Sequence, residues 1–153
     1  MGNYNRKELG SVYGFYKSLN FNPNWIIKGA DKDMIVFSEK AGDYMAPCGM
    51  TKDDKKYDKQ CLSKSQIRNV YGEIKRIQFK DINADETKTS FMLLKPKVAY
   101  AEGRNRTMGL SLFKLIFDDA WNEVSKEFNK KKYDNFCALL ESVLAYHKAK
   151  GGE

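Results

Sequence analysis

The sequence predicts an all-α protein, a small helical bundle with an aromatic-rich N-terminal arm. Three observations carry that prediction. Apolar residues recur at spacings of three and four in four segments after residue 63. No stretch alternates β-branched and polar residues between hairpin turns. The chain has 153 residues, 42% of them apolar, which suits one core and is too few for two.

Residues 1–24 scatter Tyr4, Tyr13, Phe15, Tyr16 and Phe21 among Asn, Gly, Ser and Lys without a sustained period. They read as an arm, ordered where it docks, ahead of a helical domain over 25–153. Asp31 is placed to cap a helix through Met34, Ile35, Phe37, Ala41, Tyr44 and Met45, with Pro47 and Gly49 as its stop. The mixed charges of 51–59 lack an apolar face and read as a solvated loop.

From Ser63 the spacing of Ile67, Val70, Ile74 and Ile77 predicts an amphipathic helix. A second begins near Asp85, carries Phe91, Leu94, Val98 and Ala101 on one face and ends at Gly103, with Pro96 expected to kink it. The third, from about Thr107 to Phe128, is apolar nearly all round at its start, which predicts the most buried segment of the domain. The fourth runs from Tyr133 to about Lys150 and turns Phe136, Leu139, Leu140, Val143 and Leu144 inward, with Gly151 and Gly152 as the stop.

Lys and Arg total 27 against 20 Asp and Glu, a net charge of +7. A polyanion is the first partner to consider, nucleic acid being the commonest; the plainer reading is that the charge keeps a small protein in solution. Cys48, Cys61 and Cys137 are odd in number and show no C-x-x-C spacing, so neither a disulfide framework nor a zinc knuckle is expected. The opening residues lack the apolar stretch of a signal peptide, and no run of about 18 apolar residues occurs. A cytoplasmic protein in a reducing compartment, away from membranes, is expected.

Catalysis is expected to be absent, with no catalytic residue, cofactor or metal. The one histidine, His147, lies four, seven and eleven residues after Val143, Leu140 and Phe136, on the apolar stripe of the last helix, where packing is its plain role. Asp118 and Asp119 are adjacent on a helix and diverge by ~100°, which prevents them from sharing a metal ion unaided. Phosphate-cradling glycine motifs are missing. Cys61 or Cys137 with His147 lacks a third group to complete a nucleophilic set.

The nucleic-acid signal is better formed. Lys64, Arg68, Tyr71 and Lys75, spaced four, three and four, make one basic stripe about 110° round the helix from its apolar face. Residues 64–106 hold ten Lys or Arg against five Asp or Glu, most of the excess of the whole chain. Lys97, Arg104 and Arg106 gather near the end of the next helix and the turn after it, where arginines on a loop beside a basic helical face suit phosphate contact. With no recognition-helix, RNP or zinc-finger pattern, contact by backbone and shape is expected.

Four ordered motifs carry a family resemblance: Ser65-Gln-Ile-Arg68, Leu94-Lys-Pro-Lys-Val-Ala-Tyr100, Ala101-Glu-Gly-Arg104, and Leu140-Glu-Ser-Val-Leu-Ala-Tyr-His-Lys148 before Gly151-Gly152. From about Ser63 to the C-terminus the chain resembles the small subunit of the Csm complex, the type III-A CRISPR effector. The resemblance implies a non-catalytic helical bundle whose copies stack along a ribonucleoprotein filament in antiviral defence. Its implied partners are CRISPR RNA and target RNA, the other Csm subunits, and further copies of itself along the filament or as a dimer. It carries an RNA-binding role to Arg68, Lys95, Lys97 and Arg104, whereas Lys64, Tyr71, Lys75 and Arg106 rest on helix geometry and proximity.

Two features depart from the family pattern. Glu102 stands where a small residue is expected and is set to weaken the local positive field, and the first ~60 residues are longer and more aromatic than the family requires. Tyr100, Tyr146 and His147 have packing or helix capping as their plain reading. The competing functions are a basic helical adaptor that meets acidic protein surfaces without RNA, and a metal-dependent nuclease.

Overall fold

A computed structural model describes residues 12–46, 62, 64–104 and 106–151, with only the backbone of Lys64 and Gln66. Among these residues there are seven helices and no strand, the all-α bundle that the periodicity predicts. We number them α1 (12–18), α2 (Asn24–Ile27), α3 (Lys32–Met45), α4 (Lys64–Gln78), α5 (Asp85–Arg104), α6 (Met108–Lys126) and α7 (Lys130–Ala149). The proposed loop at 51–59, the stop at Pro47 and Gly49, Cys48 and Cys61 lie outside the described residues.

Helix starts follow side-chain capping. The Asp31 carboxylate accepts from the Met34 N–H at 2.9 Å and from the Trp25 indole at 2.8 Å, so one cap starts α3 and fastens α2 to it. Thr107 caps α6 through the Leu110 N–H, and Asn129 caps α7 through the Lys132 N–H. The Asn129 cap moves the start of α7 to Lys130, three residues before Tyr133, where the apolar pattern begins. At the other end Gly151 adopts φ +100°, a conformation that a side chain disfavours, and closes the helix. Helix α5 continues through Pro96 and past Gly103 to Arg104. Pro96 offers no N–H to the Met92 carbonyl; the Trp121 indole donates to the adjacent carbonyl of Phe91 at 3.0 Å and staples this turn to α6.

Helix α7 is the hub, packing on α2, α3, α4 and α6, most extensively on α3. Gly42 makes that closeness possible: a Cβ there would lie 2.6 Å from the His147 backbone nitrogen and from the Tyr146 Cβ. Phe91 anchors the opposite side of the core, stacked on Trp121 (5.1 Å between ring centres, 10° between planes) and packed against Phe128, Tyr133 and Phe136. The first half of α6 is buried nearly throughout, as its composition predicts.

Within the stretch read as an arm, residues 12–18 form a two-turn helix. Val12 and Tyr16 are buried in the main core, Phe15 stacks on Tyr44, and the Tyr16 hydroxyl donates to Asp119. Two turns are too short for a period to stand out in sequence. On α3 the helix buries Met34, Phe37, Ser38, Ala41 and Met45 and leaves Ile35 exposed.

His147 is a packing residue. It is 4% exposed, and its Nε2 lies 2.8 Å from the carbonyl of Leu62, whose own N–H donates to the Met45 carbonyl at 2.9 Å. A carbonyl only accepts, so Nε2 carries the proton of the neutral ring. Burial lowers the pKa below 6.5, partly opposed by the Leu62 contact. The unfolded chain therefore takes up a proton near pH 6.5 while the native ring stays neutral. We predict that stability is full above this pH and declines on acidification toward the native pKa, by at most about 1.4 kcal/mol per pH unit. Denaturation between pH 7.5 and 5.5 checks this: His147→Gln should flatten the profile, and an unchanged slope would assign it to other groups.

Candidate nucleic-acid interface

Helix α4 turns Val70, Ile74 and Ile77 inward, and the Ile74 carbonyl receives the Tyr133 hydroxyl at 2.7 Å. This inward face separates two flanks. One carries Arg68, Tyr71 and Lys75 and looks toward α7; the other carries Asn69, Glu73 and Arg76 and looks toward α5.

On the α7 side, Lys75 pairs with Glu141 at 3.8 Å, and burial, with Glu141 and Cys137 nearby, pushes the Tyr71 hydroxyl up to about 12. Arg68 is exposed and has no hydrogen-bond or ion-pair partner among the described residues. Lys64 opens α4 on the same stripe by position.

On the α5 side lies an open groove of about 880 Å³. Val70, Leu93, Pro96 and Ala101 supply an apolar floor. The positive charge comes from Arg76, Lys97 and Arg104, with Tyr100 among them. Glu73 tempers two of these charges, holding Arg76 at 2.7 Å and Lys97 at 4.0 Å. Arg104 has no ion-pair partner among the described residues. Tyr100 is 69% exposed, so packing is not its role.

The eight sequence candidates therefore do not form one surface. Lys97 and Arg104 line the groove, whereas Arg68, Tyr71 and Lys75 lie across the spine of α4 from it. Lys95 is elsewhere again: two residues from Lys97 on a helix means ~200° of rotation, and its ammonium donates to Asn122 at 2.9 Å above the Trp121 ring. Arg106 is held by Glu102 through two contacts at 3.1 and 3.3 Å, while Ser111 donates to the same carboxylate. Glu102 thus neutralises Arg106 and ties the end of α5 to α6. Arg104, expected on a loop from the sequence, is the last residue of α5. Asn69 and Arg76 escape the sequence pattern, because the counted stripe covers one flank of α4 only.

The residues considered for catalysis are engaged in structure. Asp118 pairs with Lys114 at 2.7 Å, and Asp119 accepts from Tyr16. Burial pushes the Cys137 thiol up to about 12, far from the thiolate that attacks or binds metals.

The model of the type III-A Csm2 family matches residues 50–153. The chain belongs to that family. The resemblance carried by the four motifs is correct, and the matched region begins ahead of Ser63, covering α4–α7. Helices α1–α3 precede it and share its core. A curated Enterococcus italicus protein named "CRISPR system Cms protein Csm2" is 30% identical over 93 residues, 57% of this chain and 66% of that relative, so the chain spans about two thirds of the relative's length. No solved structure matches. Among the described residues, no helix is long and apolar enough to cross a membrane.

Proposed function

We propose that this chain is a non-catalytic small subunit of a type III-A Csm ribonucleoprotein effector, working in the cytoplasm and holding RNA through phosphate contacts. The observation that carries the RNA contact is the alignment of Lys97, Tyr100 and Arg104 on one face of α5 along an open groove, with the Arg104 charge unneutralised by any described residue. Arg68 offers a second guanidinium across α4 with no ion-pair partner among the described residues. Lys75, Lys95, Lys97 and Arg106 each contact an acid or an amide and contribute less. CRISPR RNA, target RNA, the other Csm subunits and further copies of the chain are the partners this reading requires.

The test is a reconstituted effector carrying Arg68→Glu and Arg104→Glu. Retention of target RNA is predicted to fall at least ~10-fold, and its salt dependence to flatten by about one unit for each phosphate no longer held. Intact assembly with unchanged retention would reject this surface. The exposed Ile35, Val36, Met92 and Leu93 favour protein contact as a second reading, a helical adaptor without direct RNA contact. Assembly that resists salt and gains nothing from RNA would select it.

A further inference from the structure

We infer that the α4–α5 groove receives an unpaired nucleobase of single-stranded RNA, with Tyr100 as its stacking platform. This rests on the RNA reading above and adds a ligand group to it.

Phosphate contact alone requires cations on a surface. The groove offers more. Its volume of about 880 Å³ lies in the range of small-molecule sites. Val70, Leu93, Pro96 and Ala101 give it an apolar floor that phosphate would not use. Leu93, Lys97, Tyr100 and Arg104 recur at spacings of four, three and four, with Pro96 three after Leu93 and four before Tyr100, so α5 carries a second stripe distinct from its core face of Phe91, Leu94 and Val98. That second stripe sets two apolar groups and two cations around one aromatic ring, the chemistry of a base joined to a phosphate. Tyr100 is 69% exposed, Leu93 49%. The ring is therefore open to a ligand, and stacking on it tolerates any base because every base has a π-face. Asn69 and Glu73 on the facing helix set polar groups at the edge of the same groove. A paired duplex hides its bases between strands, so this surface discriminates in favour of single strands. An acidic peptide would use the cations and leave the ring and floor idle.

The experiment is an NMR titration of the full chain at low salt, up to millimolar RNA, which reads weak affinity in a single copy. One probe is a short oligo-uridylate. The other has the same length and charge with abasic ribose at its internal positions. We expect the intact strand to bind about ten-fold more tightly and to shift the Tyr100 ring resonances, identified by their loss in Tyr100→Phe. Tyr100→Ala should lower the affinity for the intact strand to that for the abasic one and leave the abasic affinity unchanged. Arg104→Glu should weaken both. Equal binding of the two strands, or equal weakening of both by Tyr100→Ala, overturns the base pocket while the phosphate reading stands. No binding of either strand, or binding indifferent to Arg104→Glu, overturns the RNA reading at this groove and the pocket with it.

Discussion

Replacing Phe91 with alanine is expected to lower the unfolding free energy by about 3–5 kcal/mol, the largest single loss in the protein. Phe91 is 2% exposed and is the one ring that touches Trp121, Phe128, Tyr133 and Phe136 together. Its removal leaves a void between α5, α6 and α7, lined by large rings on α6, on α7 and on the turn that joins them. Aromatic pairing adds to the effect of the buried area, at about 0.5–1.5 kcal/mol per pair. The Trp121 indole bond goes to the backbone of residue 91 and survives the change, so the loss reads packing alone. Chemical denaturation checks it, with Phe91→Leu as the partner variant, which should lose less than half as much. A cost below about 1.5 kcal/mol for alanine would mean that the cluster collapses to fill the space.

Gly42→Ala is expected to cost about 2–3 kcal/mol even though alanine is the better helix former. The new methyl would meet the backbone nitrogen of His147 and the Cβ and carbonyl carbon of Tyr146 at 2.6–2.8 Å. None of these atoms can rotate away, so α3 and α7 must separate. The separation also strains the contact that His147 makes with Leu62. Gly72 on α4 is the control: a Cβ there meets nothing within 4 Å, and Gly72→Ala should add up to about 1 kcal/mol. Thermal melts of the two variants should move in opposite directions. Parallel shifts would show that helix propensity, rather than the α3–α7 approach, governs Gly42.

The helices from residue 63 onward were legible because each is long enough to repeat its apolar spacing several times and begins or ends at a residue with a physical signature. The Asp31 and Thr107 caps, the Gly151 stop and the inward faces of α4, α5 and α7 follow from side-chain chemistry within a few residues. The helix at 12–18 was not legible at two turns, and what places it are distant partners: the main core around Val12 and Tyr16, the Tyr44 ring and the Asp119 carboxylate. Four motifs in order were enough to reach the family that the match over 50–153 shows.

What the sequence by itself determined is the all-α class, the core face of each long helix, the excess of positive charge in 64–106 and the family. Tertiary structure alone decided which of those charges share a surface. A helix face is local, so its stripe can be counted from spacing. The neighbour that faces a stripe is set by how helices pack. Packing put α5 beside the uncounted flank of α4 and brought Glu73 of α4 against Lys97 and Glu141 of α7 against Lys75. The sign of the charge is written residue by residue, whereas its effective field depends on pairs brought together across the fold.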